Sequence, residues 1–174
     1  MTTQTNVLEK ITTLPLNIIL PVLAFAIPLF ISGPQWLTGT VVNTLLFLVV
    51  SQNLGRKNWI AVAILQSLAA VSHGLLFGKF TPFLLYFLPF IWIGNLLLMF
   101  TFFKLNKFLP LTISVIFSSL IKSFWLYLFA SMYFQLKLVP AVFLTSMGIF
   151  QLITAIFGGI IALKIKTVFV KDSL

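Results

Sequence analysis

The sequence predicts an all-α fold, with six transmembrane helices packed in one bundle and both termini on the cytoplasmic side. Three observations predict it. Of 174 residues, 60% are hydrophobic and 7% charged, whereas a water-soluble domain carries about 25% charged residues. Apolar runs repeatedly reach the roughly 20 residues that a helix needs to cross a bilayer. Short breaks rich in Gly, Pro, Asn and basic residues separate those runs, which lack the alternation of β-barrel strands.

The segments follow in order. Residues 1–13 are polar. The first span, at 14–31, is too long for a signal-peptide core and has no A-x-A-like cleavage site, so it reads as retained. "SGPQ" separates it from a second span at 36–54, and "LGRKN" from a third at 59–78. "GKFTP" leads to the fourth at 82–103, "KLNKF" to the fifth at 109–134, and "QLKLVP" to the sixth at 138–163. Breaks this short make neighbouring spans antiparallel. No soluble domain is left over, so residues 1–174 read as a single integral membrane domain in a multi-pass cell-membrane protein.

Orientation follows from the cations. With a cytoplasmic amino terminus, the inner segments hold eight: Lys10, Arg56, Lys57, Lys104, Lys107, Lys164, Lys166 and Lys171. The outer loops hold two, Lys79 and Lys137, and Lys122 lies within a span. Such a bias places positive charge inside. The same placement accounts for the formal charge of +9 without nucleic acid as a partner. The bilayer is the surface these cations meet.

Several activities are not expected. The chain has no cysteine, and its two acids, Glu9 and Asp172, lie outside the spans. Metal-dependent phosphotransfer and proton pumping need carboxylates within reach, and no P-loop or G-x-S-x-G stretch is present. One histidine and no cysteine offer no metal ligand set. No catalytic residue, metal or cofactor is predicted, and the chain is not expected to be an enzyme.

Polar residues inside the spans mark their interior faces, because hydrocarbon offers them no partner. Helical spacing groups Trp36, Gly39, Thr40 and Asn43 on span two, and Gln66 with His73 on span three. Asn95 shares a face with Trp92 on span four. Ser114, Ser118, Lys122 and Trp125 form a stripe on span five, and Gly148, Gln151 and Gly158 one on span six. Asn43, Asn95 and Gln151 read either as inter-helix links or as cargo contacts. His73 reads as a hydrogen-bonded or wetted side chain rather than a metal ligand. Lys122 is neutral, wetted, snorkelling, or paired with an anion from outside the chain.

The stretch from "SGPQWLTG" through "IWIGNLLLMFTF" resembles the substrate-binding membrane subunits, or S components, of energy-coupling factor vitamin transporters. The resemblance rests on Gly33-Pro34, an Asn in the following span (Asn43), the "LG-R" turn at Leu54 to Arg56, and Pro89 before Ile93-Gly94-Asn95. It spans about 70 residues. It implies a prokaryotic six-helix subunit that binds a vitamin or metal near its outer face and docks on a coupling subunit carrying two ATPases. The A-x-x-x-A docking face of many members is replaced by Ala24 and Ala26, two apart.

The expected function is therefore uptake of a small, vitamin-like molecule by a membrane substrate-binding subunit. Its expected cargo contacts are Trp36, Asn43, His73, Trp92, Asn95, Ser118, Lys122, Trp125 and Gln151, with the tryptophans packing flat groups. The alternative is a non-transporting accessory protein whose polar stripes bind another protein's helices.

Overall fold

A computed structural model describes residues 16–30, 34–73 and 82–171. Among these residues the chain is helical, without strands. The elements are α1 (Leu16–Phe30), α2 (Gln35–Ser51), α3 (Arg56–His73), α4 (Leu84–Leu105), α5 (Leu111–Gln135), α6 (Val142–Met147) and α7 (Ile149–Lys171). Three stretches are long and apolar enough to cross a membrane: α4, α5, and the continuous path Val142–Lys166 through α6 and α7. α1 and α2 are apolar but shorter, and α3 opens on Arg56, Lys57 and Asn58.

Each expected span has a helical counterpart, and the sixth is divided. The chain breaks at Gly148, where φ is −94° and ψ −101°. A Cβ there would lie 2.7 Å from the Leu144 carbonyl oxygen and 3.0 Å from Tyr127, so the break is open to glycine alone without local movement. α5 is tied to the break: Ser123 Oγ donates to Gly148 O at 2.8 Å, an oxygen that also accepts from Leu152 N–H of α7 at 3.1 Å.

α2 is the central helix, packed against α1, α3, α4 and α7. Its residues Asn43, Thr44, Leu45, Leu46, Phe47, Leu48, Val49 and Val50 are all buried, as expected of a helix enclosed on every side. The α2–α7 contact is close because Gly158 meets α2 backbone. A Cβ on Gly158 would lie 2.8 Å from Thr40 O and from Thr44 N. Two turns are closed by Schellman bonds. Leu54 N–H donates to Val49 O at 3.2 Å after α2, and Leu138 N–H to Tyr133 O at 2.9 Å after α5. The left-handed residues in them are Asn53 (φ 52°) and Lys137 (φ 56°).

The core has two apolar parts. One gathers Leu46, Phe47, Val62, Leu98, Phe102 and Val115, the other Leu84, Phe87, Leu126, Ala130 and Phe143. Along α3, α4 and α5 the two parts are separated by Gln66, by Asn95 and by Lys122. Polar residues therefore form a layer across the middle of the bundle.

The surface inverts the pattern of a soluble protein. α5 exposes Ile113, Ile116, Phe117, Leu120, Ile121, Phe124 and Leu128, while Ser114, Ser118, Ser119, Lys122 and Ser123 are buried on its other face. Apolar residues repeating every three or four positions make a continuous outer stripe. Its size and composition suit contact with hydrocarbon rather than water.

Candidate functional site

The polar layer encloses a cavity of about 90 Å³, lined from α2 by Thr38, Gly39 and Asn43, from α3 by Gln66, from α4 by Asn95, from α5 by Lys122 and from α7 by Gln151. Lys122 is 2% exposed. Its Nζ donates to Asn43 Oδ1 at 2.6 Å. Helical geometry makes this pairing possible, because Asn43 sits at the level of the α2–α7 contact and faces the middle of α5.

Backbone carbonyls fix the polarity of the amides, since a carbonyl only accepts. Asn43 Nδ2 donates to Gly39 O at 2.8 Å and to Thr154 Oγ1 at 3.2 Å, which turns Oδ1 toward Lys122. Asn95 Nδ2 donates to Ala63 O at 3.0 Å, and Gln66 Nε2 donates to Val42 O at 3.1 Å. Their oxygens, Asn95 Oδ1 and Gln66 Oε1, are buried without a hydrogen-bond partner in the protein, as is Thr38 Oγ1. Five side-chain atoms among the described residues are in that condition, and these three share the cavity that Lys122 lines. Most buried polar groups find partners, so three orphans in one place mark a site rather than scatter.

The arrangement offers a lysine amine as donor and two amide acceptors. It complements a small molecule that carries an anionic or strongly accepting group together with N–H or O–H donors. Charge-assisted contacts to Lys122 would be the strongest of these.

Of the side chains expected from sequence, Asn43, Asn95, Lys122 and Gln151 come together at this cavity. Others are engaged elsewhere. Trp92 Nε1 donates to Ser67 Oγ at 2.6 Å, and Trp125 Nε1 donates to the Phe90 carbonyl at 3.0 Å while its ring packs beside Gly94. Ser118 Oγ turns back to its own helix and donates to Ser114 O at 2.8 Å, as serines in helices commonly do. Trp36 is 56% exposed. The His73 side chain lies outside the described residues.

Gln66 and Thr38 were not among the expected contacts. Gln66 carried the same signal as Asn95, an amide inside an apolar run. Thr38 carried none, since threonine is common in helices that bury nothing. Comparison with protein-family models, curated proteins and solved structures finds no match.

Proposed function

We propose that the chain is a multi-pass cell-membrane protein that binds a small cargo molecule for uptake, the substrate-binding subunit of a transporter energised by other subunits. Both termini face the cytoplasm and the cavity opens toward the outer side. This orientation rests on the cation count, and the cavity lies on the half of the bundle away from Arg56, Lys104 and Lys107. The resemblance to energy-coupling factor S components supplies the class of partner, a coupling subunit with two ATPases.

One observation carries the reading. A buried lysine, two buried amide oxygens and a buried hydroxyl meet at one cavity, and the amides are oriented by backbone carbonyls. Purely structural inter-helix links would satisfy one another. The cargo in this reading is small, with an anionic group for Lys122 and donors for Gln66 and Asn95.

The cavity volume of about 90 Å³ is below the roughly 300–1,000 Å³ of sites for drug-sized ligands. A vitamin-sized cargo therefore requires the walls to part. The six-residue α6 and the break at Gly148 are the wall that is not continuous helix. They are the natural place for that movement, as broken helices are in other transporters. An accessory protein would present polar stripes outward to its partner. The outward stripe of α5 is apolar, which favours a cargo cavity.

The test is to purify the protein from membranes in mild detergent, denature it, and identify what it releases by mass spectrometry. One anionic, donor-bearing small molecule should be enriched over a mock purification and be lost from Lys122→Met. Absence of any enriched molecule, or equal recovery from Lys122→Met, overturns the assignment of the cavity.

A further inference from the structure

A second concavity lies at the opposite end of the bundle, on the outside, between the start of α3 and the last three turns of α4. It encloses about 790 Å³. Four of its residues on α4, Ile93, Leu97, Phe100 and Lys104, follow one another at spacings of four, three and four. They therefore form one straight stripe along the helix. Ile60 and Arg56 on α3 face that stripe from the other side. Ile60, Ile93 and Phe100 are about half exposed, so the groove is open laterally.

The charge is confined to one end. Arg56 and Lys104 lie at the same lip of the groove, and below them its lining is apolar. Lys104 Nζ lies over the Phe100 ring, 5.6 Å from its centroid, so the cation faces the groove. No acid is available to either cation from within the spans, because the chain's two acids are Glu9 and Asp172.

The length discriminates between occupants. From Ile93 to Lys104 is eleven residues, or about 16 Å at about 1.5 Å per residue. A hydrocarbon core of about 30 Å gives each leaflet about 15 Å. A partner's transmembrane helix would run the full thickness and has no need of a cationic lip. A single-leaflet groove with paired cations at the water interface fits a lipid whose headgroup is negative.

We propose that this groove binds one anionic glycerophospholipid of the inner leaflet. Its phosphate lies between Arg56 and Lys104, and an acyl chain lies along Ile60, Ile93, Leu97 and Phe100. The proposal rests on the membrane reading and on the orientation above, and is independent of the cargo.

The purified full-length protein is delipidated in detergent, then offered phosphatidylglycerol or phosphatidylcholine of the same acyl composition. Bound lipid is counted by native mass spectrometry and thermal unfolding is followed in parallel. Phosphatidylglycerol should be retained and should raise Tm, and phosphatidylcholine should do neither. The Arg56→Gln/Lys104→Gln variant should reduce retention by about tenfold or more, whereas Lys57→Gln, one residue away but outside the groove, should not. Ile93→Trp fills the inner end and should weaken retention with the cations intact. Equal retention of the two lipids, or undiminished selectivity in the double variant, overturns the proposal. So does a photo-crosslink from position 100 that captures a protein chain instead of lipid. Extraction only by detergent would still support the membrane reading in each of those cases.

Discussion

Lys122 and Asn43 form a buried hydrogen-bonded pair, and the effect of removing the lysine follows from the cost of burying its amine and from the loss of that bond. An ammonium near mid-membrane costs about 2.5–3.5 kcal/mol on insertion scales, and Lys122→Met removes that cost. It also leaves Asn43 Oδ1 without its donor, a loss of about 1–3 kcal/mol. The two effects nearly cancel, so unfolding of the empty protein should change by less than about 2 kcal/mol while cargo affinity falls at least about tenfold. In the sequence Lys122 has no acid within the spans to pair with, so its removal reads as neutral or stabilising for folding; the bond to Asn43 limits any gain. Binding unchanged from wild type would remove Lys122 from the site. Asn95 behaves differently, because its Nδ2 links α4 to Ala63 O on α3. Asn95→Leu should cost about 1–3 kcal/mol in thermal unfolding, and an unaltered Tm would show the link to be inconsequential. Asn95, Lys122, Asn43 and Gln151 were legible in the sequence because a polar group within an apolar run is conspicuous. The places of Trp92, Trp125 and Ser118 were not legible. Helical spacing puts Trp125 and Ser118 on a broad stripe with Lys122, yet which residue of a stripe reaches a cavity depends on where neighbouring backbone offers an acceptor.

At the scale of elements, glycine decides how closely helices approach and where one stops. Gly158 lets α7 lie against the α2 backbone within one turn of Asn43, so Gly158→Ala must push the two helices apart. Overpacking of this kind costs about 1–3 kcal/mol. It should also weaken cargo binding, since Asn43 moves with α2; a variant as stable as wild type would mean that the contact relaxes freely. Lys137 offers the opposite sign. It holds a left-handed conformation with φ 56°, which costs a side-chain-bearing residue roughly 1–2 kcal/mol relative to glycine. Lys137→Gly should therefore raise stability by about 1 kcal/mol, read as a higher Tm. The positions of the helices were legible in the sequence, because Pro, Gly and Asn mark their ends. The break at Gly148 was not. A lone glycine in an apolar run reads as a packing residue, and its role at the break depends on Leu144 O and on Tyr127 of another helix leaving no room for a side chain.

The whole molecule is ordered along one axis. Arg56, Lys57, Lys104, Lys107, Lys164 and Lys166 lie where α3 begins, where α4 ends and toward the end of α7, and Lys137 lies in the turn after α5, at the other end. The lysine cavity occupies the half toward Lys137, and the lipid groove the half toward Lys104. An outward-opening cavity and an inner-leaflet lipid site thus depend on the same orientation, and a single experiment tests both. Leu136 and Phe108 sit in turns at opposite ends, 60% and 82% exposed, so a cysteine at either should fold and react. The chain has no cysteine of its own to interfere. In intact cells a membrane-impermeant maleimide should modify Leu136→Cys and spare Phe108→Cys, with both reacting after the membrane is opened. This outcome is expected because the cation-rich end stays on the cytoplasmic side. The reverse pattern would turn the cavity toward the cytoplasm and remove uptake from outside as its function. It would also move the Arg56–Lys104 groove to the outer leaflet, where its lipid would have to be sought instead.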